Sequence, residues 1–289
     1  MTHSDVTICI PAFNESAAIR DTLTSLKTEI SEAEIIVVDD GSSDDTGDLA
    51  RSIDGVIVIK HERNRGYGAA LKTAMRRSTR GVVAWYDSDG QHTPSDLKRV
   101  LQPVLEGEKD VVIGTRNADS SAPRDRVLGK WILKHIAQFV AGDRIPDLNS
   151  GMRCFRKDAI MRYLHLLPDG FSASTTTTLL MMKRGYRMGY VGITAKERIG
   201  KSTVKILRDG LRTTSLILRI LILFEAFKIF AIASLLQLIP GVVYGLTVAI
   251  TVGQGFPVLA AVLVLSGILT FLNGLICDQI VASRKEKFE

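Results

Sequence analysis

Short apolar runs alternate with longer amphipathic stretches in the first part of the chain. The runs are rich in Val and Ile and occupy residues 6–10, 34–38, 56–59, 82–86 and 110–114. Between the first two runs, apolar residues recur at helical spacing, as at Ile19, Leu23 and Leu26. Strands that alternate with helices through short polar turns predict an α/β fold with a mostly parallel sheet.

The pattern changes beyond residue 202. In residues 203–226, apolar positions alternate with Lys205, Arg208, Arg212 and Arg219, which favours a basic amphipathic helix on an anionic membrane surface. A solvated helix packed on the N-terminal domain is the alternative. Residues 229–252 then form an uncharged run of about 24 residues, enough for a helix of ~36 Å.

A second apolar run follows a short turn, so the sequence predicts a membrane hairpin. The predicted division is an α/β domain at 1–202, a juxtamembrane amphipathic helix at 203–226, a two-helix transmembrane hairpin at 227–282 and a basic tail at 283–289. Basic residues flank both ends of the hairpin, which predicts that the α/β domain and both termini are cytosolic. Such a hairpin could also pack with copies of itself as a homo-oligomer.

Composition and charge limit the kinds of ligand that the chain is expected to bind. The chain of 289 residues has a net charge of +6, and its 3 cysteines show no pairing pattern or metal-site spacing, which favours a reducing compartment. No secretory signal fits the N-terminus. A basic surface could serve nucleic acid, anionic lipid or phosphate-bearing ligands. The cations beside the predicted membrane segments favour lipid and phosphate over nucleic acid.

Two carboxylates, Asp87 and Asp89, follow the buried run at 82–86. Adjacent acids at the end of a buried strand repel each other and are costly to desolvate, and a Mg²⁺ or Mn²⁺ ion would remove that cost. The alternative is a solvated turn that bends at Gly90.

Polar residues also follow the other predicted strands. They include Glu15 after the first, Asp39 and Asp40 after the second, and Arg116 after the fifth. Since ligands of parallel α/β sheets bind beyond the carboxyl ends of the strands, these residues predict one shared site.

The motifs at these strand ends resemble those of family 2 glycosyltransferases with the GT-A fold. They occur in the same order, at residues 11–15, 39–42, 64–68 and 87–92. Within that family the chain is most similar to polyprenyl-phosphate glycosyltransferases, such as dolichol-phosphate mannose synthases and their undecaprenyl-phosphate relatives. The resemblance extends from about residue 6 to about residue 203.

The resemblance implies a nucleotide-sugar donor site. The residues expected to hold the base and ribose are Pro11, Phe13, Glu15, Val38 and Asp40. Asp87, Asp89 and Gln91, with Ser88 between the acids, would bind the metal that bridges the two phosphates, and Arg116 would contact those phosphates. The metal would neutralise the leaving diphosphate. Asp89 and Arg116 are therefore candidate catalytic residues.

Residues 147–156 resemble the family's Asp-x-x-Ser-Gly-Phe-Arg segment near the acceptor, with Met152 in place of the aromatic residue. Ser150 belongs to this expected acceptor region. Arg153 is either a phosphate contact or a solvated strand residue, and Asp147 could act as a general base.

Threonines at 175–178 replace an acidic residue that many family members carry early in the next helix. A phosphate monoester has a second pKa near ~6 and is already nucleophilic at neutral pH, so it needs cations more than a base. Arg198, Lys201 and Ser202 follow closely and are expected to face an acceptor phosphate. The same segment loosely matches a phosphate-binding loop of ATPases, but its Lys-Glu-Arg-Ile stretch is too bulky and charged.

These expectations combine into a membrane-anchored, metal-dependent glycosyltransferase. It would transfer a sugar, with inversion, from a GDP- or UDP-sugar to a dolichyl or undecaprenyl phosphate at the cytosolic membrane face. The alternatives are a membrane-bound transferase that glycosylates a hydroxyl group of a glycan or glycolipid, and a non-catalytic nucleotide-binding scaffold.

Overall fold

A computed structural model describes residues 1–116, 145–148, 150–170, 172–194, 206–253 and 255–286. The predicted acceptor residues Arg198, Lys201 and Ser202 lie outside these ranges.

The N-terminal unit is built around one seven-stranded sheet. Its strands are β1 (Val6–Ala12), β2 (Glu34–Asp39), β3 (Val56–Lys60), β4 (Val82–Trp85), β5 (Val111–Arg116), β6 (Arg153–Arg156) and β7 (Met188–Ile193). They are arranged in the order β3-β2-β1-β4-β6-β5-β7. Only β6 runs antiparallel to its neighbours, so the prediction of a mostly parallel sheet is confirmed.

Helices connect these strands and follow them. Those of the N-terminal unit are α1 (Ile19–Glu29), α2 (Thr46–Arg51), α3 (Tyr67–Arg77), α4 (Pro94–Leu105), α5 (Lys157–Met161) and α6 (Ala173–Lys183). Short 3₁₀ turns occupy His3–Asp5 and Leu164–Leu166. The C-terminal unit contains α7 (Ile206–Thr251) and α8 (Val258–Glu286).

The central strands are buried on both faces, as their uninterrupted apolar sequences require. Every residue of β1 and of β4 is buried. Helices α1 and α4 bury Leu23, Leu26, Val100 and Leu101 in the same core. The tightly packed core therefore fixes the positions of the carboxyl ends of β1, β2 and β4.

Strand register brings the polar ends together. Ala12 at the end of β1 pairs with Asp39 at the end of β2. Because β6 is antiparallel, its first residue, Arg153, pairs with Trp85 at the last position of β4. The segment that precedes β6 thus reaches the same edge of the sheet as the residues that follow β4.

Residues 1–206 and 207–289 form two compact units. In the second unit, α7 is interrupted at Glu225, whose φ of −139° and ψ of 39° are not helical. The segments Glu225–Thr251 and Val258–Ser283 are long and apolar enough to cross a membrane. The expectation of two long apolar C-terminal helices is confirmed.

Polar contacts join these two helices. The Ser234 hydroxyl donates to the Gly267 carbonyl at 2.8 Å, and the Gln237 amide donates to the Thr270 hydroxyl at 3.2 Å. Such hydrogen bonds satisfy polar groups that would otherwise face hydrocarbon.

Candidate active site

The Asp87 carboxylate lies where three segments of the chain meet. The Tyr67 hydroxyl donates to its Oδ1 at 3.0 Å, and His92 Nε2 lies 3.7 Å from its Oδ2. Gly151 packs so closely that a Cβ atom there would stand 1.8 Å from Oδ2. The carboxylate is thus held by the start of α3, by its own loop and by the segment before β6.

Electrostatics keep Asp87 ionised. Burial alone would raise its pKa, but hydrogen bonds from His92 and Tyr67, together with the charges of His92 and Arg116, lower the pKa below its usual value. A carboxylate that stays charged in a confined site is suited to binding a cation.

The loop after β4 is tied to β1. The Ser88 hydroxyl, predicted to lie in the donor site, is buried and donates to the Pro11 carbonyl at 2.9 Å. The backbone amide of Gln91 donates to Asp89 Oδ1 at 3.1 Å. These bonds order the loop on which Asp87, Asp89 and Gln91 lie.

The residues predicted to hold base and ribose lie along the ends of β1 and β2. Pro11 pairs with Val38 across these strands. Phe13 is 39% exposed, and Glu15 is buried. Between them, Asn14 adopts a left-handed φ of 55° and accepts a hydrogen bond from the Ser43 amide at 2.9 Å. The loops after the two strands are therefore locked together.

Asp40 organises a neighbouring turn. Its Oδ1 accepts from the Arg65 amide at 3.0 Å and lies 2.6 Å from His61 Nδ1, while its Oδ2 accepts from the Gly66 amide at 2.7 Å. The carboxylate that was predicted to contact the nucleotide therefore also anchors the turn that presents Tyr67.

Close packing explains the glycines of that turn. Gly66 has a φ of +103°, and a Cβ atom there would lie 2.5 Å from the Asp169 carbonyl oxygen. At Gly68 a Cβ atom would lie 2.1 Å from the Pro168 carbonyl oxygen. Nor is the Ala69 amide open to a ligand, because it donates to the Asp169 carbonyl at 3.0 Å.

Arg116 and Asp147 bind each other. The Arg116 guanidinium donates to the two carboxylate oxygens of Asp147 at 2.8 and 3.1 Å. This hydrogen bonding, with the nearby negative charge, raises the pKa of Arg116. The predicted phosphate contact and the predicted base are thus one bidentate pair at the end of β5.

Arg153 is fully buried, so the solvated alternative is wrong, whereas its contact with a phosphate stays a prediction. It is 0% exposed and donates to the carbonyls of Ser150, Ser174 and Leu148 and to the Thr178 hydroxyl, at 2.7 to 3.0 Å. Burial lowers its pKa to about 10. These bonds use its planar fork of donors to join the segment before β6 to α6.

Ser150 is also fully buried. Its carbonyl accepts from Arg153, and within the described ranges its hydroxyl has no hydrogen-bond partner. The structure therefore leaves its predicted acceptor role open.

Family comparison matches the N-terminal unit. A model described as glycosyl transferase family 2 matches residues 7–164, more than half of the chain. The chain belongs to this family. A second model, the GtrB C-terminal hairpin, matches residues 227–283. The resemblance based on the strand-end motifs is confirmed, and the matched hairpin lies on the C-terminal side of the transferase domain.

Its relatives include lipid-phosphate sugar transferases. A dolichyl-phosphate hexose transferase of Haloferax volcanii is 30% identical and is aligned over 72% of this chain and 90% of its own. An undecaprenyl-phosphate mannosyltransferase of Micrococcus luteus is 29% identical, over 70% of this chain and 92% of its own.

A solved structure shares the fold. It is glucosyl-3-phosphoglycerate synthase of Mycobacterium tuberculosis in complex with Mn²⁺, UDP and glucosyl-3-phosphoglycerate. The TM-score is 0.60 at 19% identity, and the match covers 75% of this chain and 78% of that chain. The expected GT-A fold is confirmed.

The residues of the transferase fit a divalent cation shared with a ligand. Asp87 and Asp89 offer carboxylate oxygens and Gln91 an amide oxygen, which are donors that Mg²⁺ and Mn²⁺ prefer. Among the described residues there is no cluster of three or more His, Cys, Asp or Glu side chains that could hold a metal. Such a site suits an ion that takes its remaining ligands from phosphate oxygens and water.

Sequence reasoning missed Tyr67 and the role of His92. Both lie inside motifs that were recognised, at residues 64–68 and 87–92. Tyr67 lies 20 positions before Asp87 in the chain, so its partner could not be assigned without the fold.

Proposed function

We propose that this glycosyltransferase moves a sugar from a GDP- or UDP-sugar to the phosphate of a dolichyl or undecaprenyl lipid at the cytosolic membrane face. The observation that carries the proposal is the junction at Asp87. There the Asp87 carboxylate, after β4, meets Gly151, which belongs to the segment whose sequence resembles the family's acceptor region. A donor and an acceptor would therefore approach each other at one point.

On the donor side, Asp87, Asp89 and Gln91 would hold Mg²⁺ or Mn²⁺. When bound, the ion supplies positive charge to the leaving diphosphate. Pro11, Phe13, Glu15, Val38 and Asp40 would receive the base and ribose. Arg116, half-exposed and paired with Asp147, would contact the diphosphate.

On the acceptor side, the proposed reaction does not need a general base to remove a proton from the attacking group. The first half of α6 carries threonines at 175–178 where an acid would be expected, and all four are buried. A phosphate with a second pKa near ~6 is mostly dianionic at neutral pH and attacks the anomeric carbon without a general base. Inversion follows from a single in-line displacement.

The relatives support this acceptor. Those from Haloferax volcanii and Micrococcus luteus are named for dolichyl phosphate and undecaprenyl phosphate, respectively. The hairpin would hold the catalytic unit at the membrane, where a polyprenyl phosphate presents its head group. Arg198, Lys201 and Ser202 stay predicted contacts of that phosphate.

The proposal is tested by incubating the full-length protein in detergent with Mg²⁺ or Mn²⁺, undecaprenyl or dolichyl phosphate, and a panel of GDP- and UDP-sugars. Mass spectrometry of the lipid fraction should show one sugar joined to the lipid phosphate. Asp89→Ala should reduce the product at least ~100-fold, because it removes a carboxylate from the proposed metal site. The matched control is Asp54→Ala, since Asp54 is exposed and outside the site.

Two outcomes would contradict the proposed function. Sugar found only on a hydroxyl acceptor added to the same panel would overturn the lipid-phosphate assignment. Activity that persists undiminished in EDTA would overturn the metal assignment.

A further inference from the structure

The Tyr67 hydroxyl donates a hydrogen bond to Asp87 Oδ1 at 3.0 Å. Tyr67 is the first residue of α3, whereas Asp87 follows β4. This contact therefore couples two separate elements at the carboxylate on which the donor and acceptor segments converge.

The backbone of Tyr67 is held from several directions. Asp40 receives the amides of Arg65 and Gly66, immediately before it. Gly68, immediately after it, lies against the Pro168 carbonyl, where no Cβ atom fits. These contacts fix the backbone position from which the Tyr67 side chain reaches Asp87.

The Tyr67 phenol has a second partner besides Asp87. Behind it, the Ser174 side chain at the beginning of α6 also hydrogen-bonds to the phenol. The Ser174 carbonyl in turn accepts from buried Arg153 at 2.7 Å.

We infer that Tyr67 is a positioning residue that orients the Asp87 carboxylate for the divalent cation. This inference rests on the proposed metal site. A free carboxylate rotates about its last side-chain bond, whereas one anchored through Oδ1 and confined by Gly151 at Oδ2 keeps its remaining lone pairs in fixed directions. Outer-shell partners of this kind typically change metal affinity by ~10- to 100-fold.

The test measures the binding of Mn²⁺ to the full-length protein by electron paramagnetic resonance, with UDP or GDP present. Tyr67→Phe keeps the ring and its packing but removes the hydroxyl. We expect its Mn²⁺ affinity to be at least ~10-fold weaker than that of the wild type. Nucleotide binding in EDTA should stay within ~2-fold, because the base and ribose do not depend on this contact.

Tyr163→Phe is the matched control. Tyr163 is buried and packs edge-on against Tyr186, with ring centroids 6.2 Å apart. This variant should bind Mn²⁺ as the wild type does. Ser174→Ala should weaken Mn²⁺ binding in the same direction as Tyr67→Phe but less, since it removes only the support behind the phenol.

Equal Mn²⁺ affinity in the wild type and Tyr67→Phe would overturn the inference while leaving the proposed function intact. An equal loss of metal-free nucleotide binding would also overturn it, because the role of Tyr67 would then be general folding. A wild-type protein that binds no Mn²⁺ with either nucleotide would overturn both this inference and the metal assignment.

Discussion

The role of a charged residue in this chain depends on its burial and contacts as well as on the motif in which it lies. Arg153 lies in a segment that resembles an acceptor region, yet its guanidinium is enclosed and directed to three carbonyls and a hydroxyl. Asp40 likewise lies in a nucleotide-binding motif and also anchors a turn. At the scale of single residues, position in a motif and contacts in the fold are separate observations.

Replacing Arg153 tests this structural role. Arg153→Lys keeps a positive charge, but an ammonium cannot reach acceptors spread around a planar fork. Buried carbonyls would lose partners, so we expect a loss of about 2–4 kcal/mol in the free energy of unfolding. Thermal unfolding in detergent should show a clearly lower midpoint.

Arg99→Lys serves as its control, because the side chain of Arg99 is 55% exposed. Its midpoint should hardly change. If Arg153→Lys instead kept wild-type stability and only raised the KM for the lipid phosphate, Arg153 would return to the acceptor site.

Asp110 shows how one carboxylate joins several strands. It directly precedes β5 and accepts hydrogen bonds from the amide and guanidinium of Arg187, just before β7. Its carboxylate also accepts from Arg156 at the end of β6, at 3.1 Å. This cluster secures the last three strands of the sheet at the edge opposite the carboxyl end of β5.

The Asp110 cluster predicts a pH-dependent stability. Hydrogen bonds from Arg187, opposed by burial, lower the pKa of Asp110 from 3.8 to about 2. A carboxylate with a lowered folded-state pKa stabilises the fold fully above its unfolded pKa, and this contribution disappears as the pH falls through the folded value. The stabilisation should therefore be present above about pH 5 and decline from about pH 4 toward pH 2.

Asp110→Asn makes this measurable. The thermal midpoint of the wild type should exceed that of the variant at pH 6, and the difference should shrink steadily below pH 4. Asp54→Asn, at an exposed position, should show no such trend. A wild-type advantage that stayed constant down to pH 3 would contradict the assignment.

At the scale of the whole molecule, the chain joins an α/β unit to a pair of long apolar helices. The basic residues on both flanks of those helices predict that both ends lie in the cytosol. The turn at residues 253–257 would then face the opposite side of the membrane.

Cysteine labelling in intact cells tests this topology. In a Cys277→Ser background, Gly253→Cys should react with a membrane-impermeant maleimide, because the turn would face outward. Ser283→Cys, near the end of α8 and exposed, should react only after permeabilisation. The buried Cys9 and Cys154 should stay unlabelled in the folded protein. The reverse pattern would place the catalytic unit outside the cytosol.

Much of the fold could be predicted because its signals are local. Strands such as β1 and β2 are short Val- and Ile-rich runs, and their burial follows from their sequences alone. The uncharged runs in α7 and α8 predicted membrane-length helices for the same reason. The order of the strands and the antiparallel placement of β6 depend on pairings between distant segments, and no local pattern encoded them.

The sequence by itself determined the α/β class, the family and the strand-end residues Asp87, Asp89 and Arg116, because composition and short motifs are properties of neighbouring positions. Only the tertiary structure decided what those residues contact. It paired Arg116 with Asp147, buried Arg153 and placed the Tyr67 hydroxyl on Asp87. These contacts join residues far apart in the chain, so they exist only once strand register and helix packing have brought them together.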